Sequence, residues 1–133
     1  MWGDSPARNN VAVGENIPAA WQIGDFDAKT GAWLPEDSRN IRWVVPIGSQ
    51  TYATPAIADG RIFIGSNKGH GYVRRYPSNI DLACMLCFAE SDGKFLWQYS
   101  SAKLASGRVN DWPLQGIPST PCVQGDRMWF VDN

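Results

Sequence analysis

The sequence predicts an all-β fold assembled from repeated four-stranded antiparallel units. Three observations predict it. First, Ala53–Asn67 (ATPAIADGRIFIGSN) and Ser119–Asn133 (STPCVQGDRMWFVDN) repeat each other sixty-six residues apart. Thr, Pro, Arg and Asn are kept at matched offsets, and Ile57/Val123, Ile62/Met128, Phe63/Trp129 and Ile64/Phe130 stay apolar. A recurring strand–turn–strand unit is the mark of a modular architecture whose pieces must stack to bury their faces. Second, thirteen Gly, nine Pro and seven Trp in 133 residues favour short strands and tight turns. Third, no segment sustains the 3.6-residue apolar period of a helix.

Each element follows from local chemistry. Residues 1–39 read as a loop-rich lead-in, broken at Asn9-Asn10, Gly14 and Pro18, with a short strand running into a turn at Asp25–Gly31. Residues 40–133 read as the repeat domain. Ile41–Val45 is β-branched and aromatic and predicts a strand. Tyr52–Ala58 predicts the next, with Pro55 tolerated near its start. Asp59-Gly60 is a two-residue hairpin signal, and Arg61–Ser66 is the returning strand. Cys84–Ala89, a turn at Ser91-Asp92-Gly93 and Lys94–Ser100 complete four strands. Pro118–Gln124, Gly125-Asp126 and Arg127–Asp132 repeat the hairpin, with the turn residues in reverse order.

In an up-and-down sheet the two tight turns lie at one end, and the long connections Asn67–Ala83 and Ser101–Ile117 lie at the other. Long connections in compact folds carry function or are disordered. The candidate binding face is therefore His70, Tyr72, Arg74, Arg75, Tyr76, Lys103, Arg108, Asn110, Asp111 and Trp112.

Bulk properties exclude some classes. A net charge of −1, from twelve basic and thirteen acidic residues, lacks the basic excess of a nucleic-acid binder. No run of about eighteen apolar residues predicts a membrane span. Met1-Trp2-Gly3-Asp4 has neither the basic start nor the apolar stretch of a signal peptide.

Cys87-Phe88-Ala89-Glu90-Ser91-Asp92-Gly93-Lys94-Phe95-Leu96-Trp97 resembles the A-L-D-x-x-T-G-K-x-x-W signature of quinoprotein-type, or PQQ-like, β-propeller repeats. Ala89 and Asp92 depart from its Asp and Thr. Thr54–Ser66 resembles the other half of that repeat, and Asp27–Gly31 echoes the signature, with Trp33 only two residues past the Gly. The start at Trp2-Gly3 is similar to that of secreted planctomycete propellers. The resemblance implies part of a β-propeller: one complete blade, half of the next, and the outer part of the one before, ending in the strand at Ile41–Val45. The chain is then expected to be a fragment whose partners are the other blades. Gly93 is expected at a positive φ before the last strand, and Trp43 and Trp97 are expected to pack between blades.

As function, the resemblance implies a non-catalytic scaffold or binding module of a periplasmic or secreted bacterial protein, presenting its long loops to protein partners. An outer-membrane assembly lipoprotein of the same repeat type is the analogue. The alternative is a piece of a quinoprotein oxidoreductase acting on alcohols or sugars with PQQ and calcium. Asn110, Asp111 and Trp112 have residue types suited to such a site. The adjacent cysteines typical of those dehydrogenases are missing, so no catalytic, cofactor or metal residue is carried over.

The remaining motifs read structurally. Cys84-Met85-Leu86-Cys87 lacks the following His of a haem site, and with only Cys122 left it cannot form a four-Cys zinc site. Residues three apart in a strand face opposite ways, which excludes a mutual disulfide and leaves packed thiols, a bond from either to Cys122, or a bond to sequence outside this chain. His70 is the single His, and no triad motif surrounds any Ser.

Overall fold

The computed structural model describes residues 15–104 and 115–132. These are all-β, with no helix among them. They group into two compact units divided between Val45 and Pro46.

In the first unit, β1 (Asp25–Phe26) and β2 (Trp33–Leu34) form a small antiparallel hairpin, with Phe26 opposite Trp33. Asp27 builds its turn. One carboxylate oxygen accepts from the Lys29 amide (3.0 Å), the Thr30 amide (2.7 Å) and the Thr30 hydroxyl (2.8 Å). Those bonds, the Thr30 amide foremost, hold the Asp27 carboxyl below its usual range. Gly31, at φ 70°, donates back to the Asp27 carbonyl.

Ile41–Val45 is not a strand; residues 41–48 have no regular structure. β-Propensity supplies suitable side chains but no hydrogen bonds, and no strand among the described residues pairs with this segment. Trp43 is therefore not a strand residue, whereas Trp97 is. In the β1–β2 hairpin Trp33 stands opposite Phe26, as Phe95 stands opposite Phe88 in the second unit.

The second unit holds a four-stranded antiparallel sheet in simple sequence order: β3 (Ala56–Ala58), β4 (Arg61–Ser66), β5 (Leu82–Ala89) and β6 (Phe95–Ala102). A separate hairpin, β7 (Cys122–Gln124) with β8 (Arg127–Trp129), repeats β3–β4. Asp59 and Gly60 both take positive φ (50° and 69°), the twist a two-residue hairpin turn requires. Gly93 takes φ 71° and donates to the Ala89 carbonyl, as Gly31 does to Asp27. The carboxylate has moved along the turn: at the second site Asp92 accepts from the Lys94 amide (3.0 Å).

The register sorts the side chains onto two faces. One carries Ala56, Phe63, Cys87, Met85 and Ala83, the other Ile57, Ile62, Ile64, Leu86, Phe88 and Cys84. β5 is buried from Ala83 to Phe88 because both faces are covered. A bulge between β5 and β6 sets Phe95 opposite Phe88 but Trp97 opposite Cys87. It turns Trp97 onto the Cys87 face, with its ring 6.0 Å from that of Phe63 and about a third of the residue still exposed.

That first face forms the core. Phe63, Ala83, Met85 and Cys87 pack with Ile117, and Val123, Met128 and Phe130 of the repeated hairpin close over them. The Phe130 ring meets Tyr99 edge-on at 5.4 Å, and the Tyr99 hydroxyl bonds Asp132 (3.2 Å).

Candidate functional site

The register puts Ser66, Leu82 and Ala102 at one end of the sheet, opposite the tight turns. Both long connections therefore leave from the same end. The β4–β5 connection does not stay there. It folds back along the Phe88 face towards the tight-turn end. Tyr72 lies flat on Phe95 (centroids 4.6 Å apart, planes at 4°) and edge-on to Phe88 (5.5 Å), and its hydroxyl donates to the Pro46 carbonyl (2.7 Å). Burial pushes its phenol up.

Beyond Tyr72 a tight turn is closed by the Tyr76 amide donating to Val73 (2.8 Å). Arg74 and Arg75 project from its corners, exposed, and the Arg75 guanidinium sits 4.6 Å from the Tyr76 ring centre. His70 is exposed, its ring 6.2 Å from Tyr72. Asp81 and Lys103 form an ion pair where the connection re-enters the sheet. His70, Arg74 and Arg75 are thus exposed, Tyr76 is partly buried, and Tyr72 is committed to packing. Arg108, Asn110, Asp111 and Trp112 lie outside the described residues.

The sequence reading missed a polar seam at the end of β4. Ser66 and Asn67 are buried. The Ser66 hydroxyl accepts from the Gly48 amide (3.0 Å). The Asn67 side chain accepts from the Gln50 amide (3.1 Å) and donates to the Ser49 hydroxyl (3.0 Å), while its own amide donates to the Gln50 carbonyl (3.1 Å). On the other side Gly116 and Ile117 press on the same residues, and the Ile117 amide donates to the Ser66 carbonyl at a long 3.4 Å. The end of β4 is clasped between the segment entering its own sheet and the segment entering the repeated hairpin. The one local clue was the Asn shared by both copies of the repeat.

The seam continues to Cys84. The Gln98 amide group donates to its sulfur (3.4 Å) and to Ser100 (2.8 Å), and Gly69 crosses so close that an added Cβ would lie 2.6 Å from Gln98 Oε1. Burial pushes the thiols of Cys84 and Cys87 up, so both stay neutral. They lie on opposite faces, as their spacing predicts, and all three cysteines are free. Because the folded state raises these thiol values, their contribution to stability is complete below the ordinary thiol value of about 9 and is lost as pH rises through the folded values. Denaturant melts under reductant are expected to show stability falling above pH 9. Cys84→Ala with Cys87→Ala should flatten that fall.

No group of His, Cys, Asp and Glu among the described residues is arranged to hold a metal ion, and the described residues form no helix long and apolar enough to cross a membrane. Compared with protein-family models, curated proteins and solved structures, the chain matches none.

Proposed function

We propose that the chain is a non-catalytic scaffold or binding module of stacked four-stranded sheets, of the β-propeller type with PQQ-like repeats, acting in the periplasm or outside a bacterial cell. The role and location are those the sequence resemblance implies; the stacking of the sheets is supported by how the two copies of the repeat meet. The Thr54 amide donates to the Thr120 hydroxyl at 3.0 Å, and these are equivalent residues, 66 apart. Sheets that merely stack in parallel hold equivalent backbones about 10 Å apart. Convergence just ahead of the first strand of each copy of the repeat, β3 and β7, is what rotation about an axis on that side produces, as between blades of a propeller.

The chemistry of the described long connection also favours a scaffold. Its half-buried tyrosine packs on the sheet, its Asp81 pairs with Lys103, and the two strand thiols are neutral. The turn with Arg74, Arg75 and Tyr76 offers cationic and aromatic contacts of the kind a protein partner uses.

The test is a titration of the chain with PQQ and Ca²⁺, followed by tryptophan fluorescence and by dye reduction with simple alcohols and sugars. A scaffold gives no saturable quenching and no turnover. Saturable binding with turnover would overturn the reading in favour of a quinoprotein oxidoreductase.

A further inference from the structure

Within the second unit, both halves of the interface between the sheet and the repeated hairpin recur at exposed or partly exposed positions. Val123, Met128 and Phe130 face the sheet and are partly buried on it. Their equivalents in the first copy are Ile57, Ile62 and Ile64, which share one face of β3–β4. Tyr72 and the folded-back connection cover the β5–β6 part of that face, but Ile57 is 62% exposed and Ile62 and Ile64 are only partly covered. On the hairpin the converse holds. Phe63, which receives the hairpin in the first copy, corresponds to Trp129, 49% exposed, and Gly65 corresponds to Val131, 68% exposed. One end of the unit presents the surface that docks, and the other presents the surface that is docked upon.

We propose that a second copy of this chain occupies these surfaces head to tail: the Ile57/Ile62/Ile64 margin of one copy seats on the Trp129/Val131 face of the other. The internal contact is the template, because equivalent residues already make it within the chain. The two patches differ, so the contact is heterologous and leaves one free patch of each kind on every pair. Val131 stands where Gly65 admits the close approach of Ile117, so the docked copy sits further out and holds more weakly than the hairpin on its own sheet. This extends the stacked-sheet reading to an intermolecular partner and rests on that reading.

The test is sedimentation of the whole chain to about 1 mM. Self-association that grows with concentration is expected. Ile57→Asp or Trp129→Asp, each at an exposed position, should weaken it by at least ~10-fold, since each places a charge in the contact. Mixing the two variants separates head-to-tail from symmetric association. Each variant retains one intact patch of opposite kind, so the mixture should recover a 1:1 complex that grows no further. A wild-type chain that is monomeric throughout, variants that associate like wild type, or a mixture that stays monomeric would each overturn the proposal. Met128→Asp, which strikes the internal contact, keeps the two ideas apart. If it lowers the melting temperature while the wild type is monomeric, internal stacking stands and only the intermolecular contact falls.

Discussion

Gly65→Ala is expected to unseat the β7–β8 hairpin from the sheet. Gly65 is buried on β4, and a Cβ there would fall inside van der Waals contact with the Ile117 carbonyl oxygen and within 3.0 Å of Ile117 Cγ2. The obstacle is backbone, which cannot swing away as the end of a side chain can. Ile117 is itself fully buried and leads directly into the hairpin strands. Overpacking of this kind costs roughly 3 kcal/mol, which for a chain of this size lowers the melting temperature by roughly 10 °C. The damage should be local. Amide exchange at Val123, Met128 and Phe130 should accelerate more than within β5. Val131→Gly is the matched control: it alters the equivalent position in the second copy, where the side chain is exposed, and should shift stability by less than about 1 kcal/mol. If Gly65→Ala melts like the wild type, the close seating of Ile117 on β4 is wrong.

The parts of the fold legible in the sequence were those set by neighbours in the chain. Asp59-Gly60 and Gly125-Asp126 announced hairpins because positive φ has few residues that accept it. The opposite facing of Cys84 and Cys87 followed from the two-residue period of a strand, and the strand order followed from two tight turns flanking one long connection. What could not be read depended on distant partners. Tyr52–Ala58 looks like one strand, yet only Ala56–Ala58 pairs; ahead of it, Gln50 and Thr51 give their hydrogen bonds to Asn67 and Gly65 instead. Ile41–Val45 has the composition of a strand, but no strand among the described residues pairs with it. Tyr72 looked like a loop residue for display, because nothing nearby in sequence reveals Phe88 and Phe95 waiting on the sheet. The bulge beside Leu96 left no composition signal either, although it decides which face Trp97 joins.

The polar seam is the clearest case of chemistry hidden from the sequence, and Asn67→Ala is its sharpest test. Asn67 is fully buried at the end of β4, where its side chain closes two bonds to the segment entering the sheet. Truncation leaves the Gln50 amide without its acceptor, and a buried unpaired N–H costs about 1–3 kcal/mol. The emptied volume adds to that, for a total of roughly 3 kcal/mol. Ser66, Gly48 and Ser49 lose their alignment together, so the loss should exceed that from Ser66→Ala, which removes one hydroxyl. Asn67→Asp separates hydrogen bonding from shape. Protonated, the introduced carboxyl can accept from Gln50 and donate to Ser49; ionised, it loses the donor and is a charge in a buried site. Burial raises its folded value above the unfolded one, so its stability is fullest below about pH 4 and is lost as pH rises. A variant whose stability relative to wild type improves on acidification, measured by denaturant melts between about pH 4 and 7, identifies the seam as a hydrogen-bonded clasp. A pH-independent loss equal to that of Asn67→Ala would mean that Asn67 only fills space.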